Sequence, residues 1–109
     1  MTALSQRHCT PLEGSQPMTD AEVREHLAQV PGWSVVSGAI EKRYDFADYH
    51  RTMAFVNAVA WIAHAQDHHP DMAVAYNRCT LRFNTHSVGG LSVNDFICAA
   101  RVDALLESA

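Results

Sequence analysis

The sequence predicts an α+β domain whose helices cover one face of an antiparallel sheet, in the order helix-strand-strand-helix-strand-strand-helix. Three observations carry that expectation. Two stretches, 33–46 and 72–86, alternate side chains with period two on either side of a short turn. Three other stretches repeat apolar residues at spacings of three and four behind capping residues. The two kinds interleave with no internal repeats, linkers or low-complexity runs. The 109 residues suit one domain, expected over 18–109 behind a flexible tail over 1–17.

The tail is polar, is broken by Pro11, Gly14 and Pro17, and shows no periodicity. Cys9 lies in it and is given no role. Thr19-Asp20-Ala21-Glu22 fits a capping box, and Val23, Leu27 and Val30 give the first helix one apolar stripe before Pro31-Gly32 stops it. Trp33 to Val36 reads as a strand and Ser37-Gly38 as its turn. Ile40, Lys42, Tyr44 and Phe46 then alternate with Glu41, Arg43 and Asp45. Asp48 marks the start of a long helix from Tyr49 to about Ala65. That helix carries two stripes, Tyr49, Met53, Val56, Ala60 and Ala63, and Phe55, Val59 and Ile62. A helix apolar on so many sides is expected to bury more than one, against the sheet and against another subunit. Pro70 disfavours helical geometry at His69, so this helix should end near Asp67 or His68.

Met72 to Tyr76 and Cys79 to His86 form the second hairpin, turning at Asn77-Arg78. In its second strand Cys79, Leu81, Phe83 and Thr85 share one face, and Thr80, Arg82, Asn84 and His86 the other. After the loop Ser87-Val88-Gly89-Gly90, Ser92 caps a last helix striped by Val93, Ile97, Ala100 and Ala104.

Composition excludes several function classes. Net charge is −4 with neutral His, and no basic run appears, which argues against direct nucleic-acid binding. No apolar stretch is long enough to span a membrane, and the start lacks the apolar region of a signal peptide. Three widely spaced cysteines suit a reducing compartment, so a cytoplasmic protein is expected. Charged residues are only 18%, as in a chain that gives part of its surface to another subunit.

Chemistry concentrates in His64-Ala65-Gln66-Asp67-His68-His69-Pro70, where the long helix must end. Histidine titrates near neutrality, so the cluster admits three readings: solvated residues favoured by the helix dipole, a metal site, or acid–base equipment. A zinc site would use His64 and His68 as an i, i+4 pair. The zinc-protease pattern, however, needs Glu directly after the first His, and Ala65 stands there. Acid–base work needs further polar groups to converge, and His86 and Asp95 are the candidates.

The ordered set His64, His68-His69-Pro70, Tyr76, His86 and Asp95 closely resembles the pterin-4a-carbinolamine dehydratase family. So do the phrases Asp67-His68-His69-Pro70-Asp71, Tyr76-Asn77, Thr85-His86 and Gly90-Leu91-Ser92-Val93-Asn94-Asp95. The likeness runs from about Thr19 to the C-terminus and includes Pro31-Gly32-Trp33. It implies a four-stranded antiparallel sheet with three helices on one face, assembled as a dimer or tetramer. It also implies a hydro-lyase that dehydrates 4a-hydroxytetrahydropterin to quinonoid dihydropterin without a metal or organic cofactor. In that reading His68 is the main general acid/base, and His69 and His86 bind or protonate the substrate. Asp95 holds a histidine tautomer or accepts a pterin N–H. Pro70 fixes the approach of the His pair, Tyr76 supports the pocket wall, and His64 stands where many members carry Glu. The resemblance implies a functional link to an aromatic amino-acid hydroxylase. Its alternative is a non-enzymatic dimerisation cofactor or assembly factor on the same fold.

Overall fold

The computed structural model describes residues 3–107. Helices α1 (Asp20–Leu27), α2 (Tyr49–Gln66) and α3 (Val93–Glu107) alternate with strands β1 (Ser34–Val36), β2 (Ala39–Asp45), β3 (Asp71–Ala75) and β4 (Arg78–Phe83) in the predicted order. The strands form one antiparallel sheet in the spatial order β1-β2-β4-β3. The helices cover the face that carries Ile40, Leu81 and Phe83, and the core between them is filled by Phe55, Val59, Phe96, Ile97 and Val102.

Local chemistry sets most boundaries. Thr19 Oγ1 accepts from Glu22 N–H at 3.2 Å, and Glu22 Oε1 accepts from Thr19 N–H at 2.9 Å, so the capping box forms in full. The β1–β2 turn uses positive φ at both Ser37 (49°) and Gly38 (80°), the backbone hand that matches strand twist in a two-residue hairpin. Asp48 Oδ1 caps α2 by accepting from Arg51 N–H at 2.8 Å. The second hairpin turns at Tyr76-Asn77, one residue earlier than expected, and β4 stops at Phe83 rather than His86. Thr85 then makes an isolated bridge to Gly90, and His86–Val88 is a 3-10 turn.

The buried row of α2 is Thr52, Phe55, Val59, Ala63 and Gln66. It takes Phe55 and Val59 from the second predicted stripe and Ala63 from the first. Tyr49 and Ala60 of the first predicted stripe face outward, as does Trp61 (69% exposed). Only one side of the helix therefore meets this chain's own core.

Residues before α1 do not run free as expected of a tail. Leu4 is buried against the core, Arg101 donates twice to Arg7 O, and Cys9 N–H donates to Gln66 Oε1 at 2.8 Å. Thr10 N–H donates to Asn94 Oδ1 (3.2 Å) while Asn94 Nδ2 donates to Thr10 O (2.8 Å). The physical reason is complementarity over long sequence distance: an extended segment satisfies its backbone groups on buried side chains of α2 and α3. Among the described residues, no helix is long and apolar enough to cross a membrane.

Candidate active site

The end of α2 is shaped by one residue. Asp67 adopts the left-handed conformation (φ 51°, ψ 44°), which Asp tolerates better than most side chains. The chain wraps back on itself: Asp67 N–H reaches His64 O at 3.2 Å and His68 N–H donates to Ala63 O at 3.1 Å. His68 thereby leaves the helical path. The expectation that His64 and His68 share a face required the last turn to continue, and it does not. His64 stays on the exposed surface of α2, its ring 5.7 Å from that of Trp61. His68 turns inward until its side chain is only 12% exposed.

Inside, the imidazole lies flat on Phe83, with centroids 6.0 Å apart and planes 9° from parallel. Its Nε2 is 2.6 Å from Asp95 Oδ1. Asp95 is fully buried in the first turn of α3, where the helix dipole favours negative charge. A buried carboxylate without partners would cost several kcal/mol. Here every partner points at it. Oδ2 accepts from Ser92 N–H and from Thr85 Oγ1, both at 2.9 Å. Thr85 Oγ1 lies 2.7 Å from Ser92 Oγ, which itself accepts from Asn94 N–H at 3.2 Å. The donors thus run one way, from Asn94 N–H to Ser92, from Ser92 to Thr85, and from Thr85 to Asp95. Aligned chains of this kind polarise and strengthen one another.

The consequence falls on His68. With Asp95 accepting at Nε2, the ring carries its proton there, and Nδ1 is left as the nitrogen that exchanges protons. Burial pulls the His68 imidazolium down. The hydrogen bond and charge of Asp95 raise it by more, helped by Cys9 and Asp67, so its pKa lies above the usual 6.5. His68 lines a cavity of ≈ 360 Å³ together with the end of α2, Thr85, Ser87, Asn94 and the segment from Cys9 to Glu13. A groove of similar size beside α1, ≈ 400 Å³, is lined mainly by apolar residues such as Met18, Val23 and Leu91 and holds no histidine. Of the two, only the first is lined by a histidine.

The other predicted residues divide. Asp95 and His68 are brought together. His69 is exposed beside His68, with Pro70 half-buried after it. His86 is exposed at the start of the 3-10 turn, and its chain neighbours Thr85 and Ser87 line the cavity while its own side chain does not. Tyr76 is not brought to this place. It is 65% exposed and its ring stacks 6.2 Å from Tyr49 at the start of α2. The 18 residues of α2 put that end about 25 Å from His68 at 1.5 Å rise per residue. Thr85, Ser92 and Cys9 were not singled out for the site. The signal for Thr85 was a hydroxyl in an otherwise apolar strand row. Ser92-x-x-Asp95 announced a cap without announcing its histidine partner. Among the described residues no three His, Cys, Asp or Glu side chains gather closely enough to hold a metal, and the divergence of His64 from His68 removes the zinc pair.

Fold and site together define a small α+β protein in which a His–Asp pair stands at a cavity, an arrangement suited to acid–base chemistry. The comparisons give that class a family. The family model described as pterin 4 alpha carbinolamine dehydratase matches residues 16–105, and the chain belongs to this family. Two bacterial relatives bear that dehydratase name in provisional form. The one from Chromobacterium violaceum is 55% identical over 97 residues, covering 89% of this chain and 90% of the relative. The one from Nitrosospira multiformis is 48% identical over 105 residues, covering 95% and 93%. A crystal structure titled as a transcriptional coactivator/pterin dehydratase from Brucella melitensis superposes with a TM-score of 0.79 at 32% identity, covering 83% of this chain and 98% of that one. A pterin dehydratase-like protein identified as a RuBisCO assembly factor in the alpha-carboxysome superposes at 0.58 with 26% identity, covering 71% and 89%.

Proposed function

We propose that the protein is a hydro-lyase that dehydrates 4a-hydroxytetrahydropterin to quinonoid dihydropterin, by histidine acid–base catalysis and without metal or organic cofactor. The observation that carries this reading is the buried His68–Asp95 pair at a cavity, in a chain of the dehydratase family. Protonated His68 gives its Nδ1 proton to the 4a hydroxyl. The C4a–O bond breaks and water leaves, while the N5 electron pair forms the new C=N bond. The N5 proton passes to a second base, for which the exposed His69 and His86 are the candidates. The proton lost at N5 balances the proton given at oxygen, and the site is reset once the second base releases its proton to solvent and His68 Nδ1 takes one up. Asp95 supports the step by holding the imidazolium and fixing which nitrogen faces the substrate. General acid catalysis of this kind contributes about 10²- to 10⁴-fold.

The proposal extends to a cytoplasmic homo-oligomer that buries the outward aromatic face of α2, and to pterin recycling alongside an aromatic amino-acid hydroxylase. The alternative is a non-enzymatic dimerisation cofactor or assembly factor on the same fold, and one pterin dehydratase-like protein that superposes on this chain is identified as a RuBisCO assembly factor. The complete His68–Asp95 pair favours catalysis. Chemically prepared 4a-hydroxytetrahydropterin decides between them. Purified protein should accelerate its dehydration, and His68→Ala should remove most of the gain. Wild-type protein no faster than buffer would overturn the enzyme reading, and a stoichiometric protein partner would then favour the alternative.

A further inference from the structure

Cys9 Sγ and Cys98 Sγ lie 3.6 Å apart, although 89 positions separate them in sequence. Both are free thiols. Cys98 sits on α3, wholly buried, one turn beyond Asn94 and Asp95. Cys9 is half-buried and lines the cavity that holds His68. The meeting is built rather than incidental. Gln66 accepts from the Cys9 amide, and Asn94 clamps both backbone groups of Thr10, so the segment carrying Cys9 is tied at two points to the helices that flank the site. The Cys9 thiol also reaches Asn94 O at 3.6 Å.

We propose that Cys9 and Cys98 form a thiol-modification site, a redox pair that closes into an intramolecular disulfide on exposure to a peroxide or a small-molecule disulfide and locks the N-terminal segment onto α3 beside His68. A disulfide needs the sulfurs at about 2.05 Å, so closure asks for about 1.5 Å of approach. Cys9 belongs to an extended segment outside any helix or strand, and that side can supply the movement. The two thiols have unequal roles. The Cys98 hydrogen bond holds the Cys9 thiol below its usual value, aided by the His68 and Arg101 charges and opposed by burial. Cys98 is pushed far up by the same hydrogen bond and by burial. Cys9 is therefore the attacking sulfur and Cys98 the resolving one.

With hydrogen peroxide, the Cys9 thiolate attacks one oxygen, the O–O bond breaks, and a sulfenic acid and water result. Cys98 then attacks the Cys9 sulfur, loses its proton, and displaces a second water. Two thiols and one peroxide give one disulfide and two waters. With oxidised glutathione, Cys9 displaces one glutathione thiolate and Cys98 the other. In a reducing compartment the pair rests open, as cytosolic redox-sensing thiols do.

The test uses the full reduced chain titrated with hydrogen peroxide or oxidised glutathione. Intact mass should fall by about 2 Da with either oxidant, through loss of two hydrogens. Alkylation under denaturing conditions should then label Cys79 alone of the three cysteines, and digestion should yield a joined Cys9–Cys98 peptide. Closing so long a loop should raise Tm by ~10 °C or more. Replacement of buried Cys98 risks the fold, so Cys9→Ser is the deciding variant. It should remain reduced at Cys98 and show no rise in Tm. The proposal is overturned if the oxidised chain carries Cys98 as a free thiol, with Cys9 in a mixed disulfide, in a link between chains or oxidised to sulfinic acid. These readouts need no pterin and stand apart from the dehydratase reading.

Discussion

Helix α3 carries two carboxylates that are each gathered from three sides, and they serve different ends. Asp95, in the first turn, accepts from Ser92 N–H and Thr85 Oγ1 and pairs with His68. Asp103, farther along, accepts from Trp33 Nε1 (3.1 Å), Lys42 Nζ (2.9 Å) and Tyr44 OH (2.5 Å). Asp95 has the helix dipole for support; Asp103 lies beyond its reach and has the Lys42 cation instead. Both tie α3 to the sheet side of the molecule. Only Asp95 has a partner that exchanges protons near neutrality. The partners of Asp103 are the Lys42 ammonium, a phenol and an indole, and burial and Asp103 push the phenol of Tyr44 above its usual value of 10.0. One architectural device thus yields a titratable His–Asp pair at one end of the helix and a mechanical clamp at the other.

The sharpest separation should come from activity. His68→Ala should lower dehydration by about 10²-fold or more while leaving a cooperative unfolding transition. Asp103→Ala should do the reverse. It strands Tyr44, Trp33 and Lys42 without their acceptor, which should cost ~2–4 kcal/mol in denaturant unfolding, with kcat within about threefold of wild type. If Asp103→Ala abolished turnover in folded protein, the division between site and clamp would fail.

A finer cut lies within the Asp95 cluster. Thr85→Val keeps the shape and deletes the last donor in the chain running from Asn94 to the carboxylate. It should cost ~1–2 kcal/mol of stability. A purely structural Thr85 would leave the pH profile of kcat unmoved. A Thr85 that sets the charge on Asp95 would move the limb assigned to His68, which rate measurements across pH 5–9 can read.

The clamp was nearly invisible in sequence, and the reason is informative. Lys42 falls in the core-facing row of β2 by alternation, which marked an anomaly without naming the acid that answers it 61 positions later. The caps of α1 and α2, the Ser37-Gly38 turn and the stop before Pro70 were legible because their causes lie within a few residues. The family-like spacing singled out His68 and Asp95, which the fold brings into contact. Their contact was one of two roles the resemblance implied for Asp95, and it depends on Asp67 turning left-handed, which an Asp permits and does not demand. Tyr76 is the converse: a place in the motif did not bring it to the His68 end of α2. The packing of residues 4–10 escaped because a lone Leu4 and Cys9 carry no periodicity, and their partners lie near the other end of the chain.

The smallest effect, and the most diagnostic, is how the two clusters respond to pH. His68 has a folded pKa above 6.5, since Asp95 outweighs burial. A raised value means the folded chain holds the proton more tightly than the unfolded one. The stabilisation is therefore complete below about pH 6.5 and is lost as pH rises through the folded value. Tyr44 is also raised, by burial first and then by Asp103, but from a starting value of 10.0. Its contribution should persist through neutrality and fade only above about pH 10. Denaturant midpoints measured from pH 5 to 11 should thus show two separate declines. Asp95→Asn should erase the neutral decline and leave the alkaline one, while Tyr44→Phe should do the opposite. A single merged decline, or a neutral decline that survives Asp95→Asn, would mean that the imidazolium is not held by Asp95, and the distinction between the two ends of α3 would rest on geometry alone.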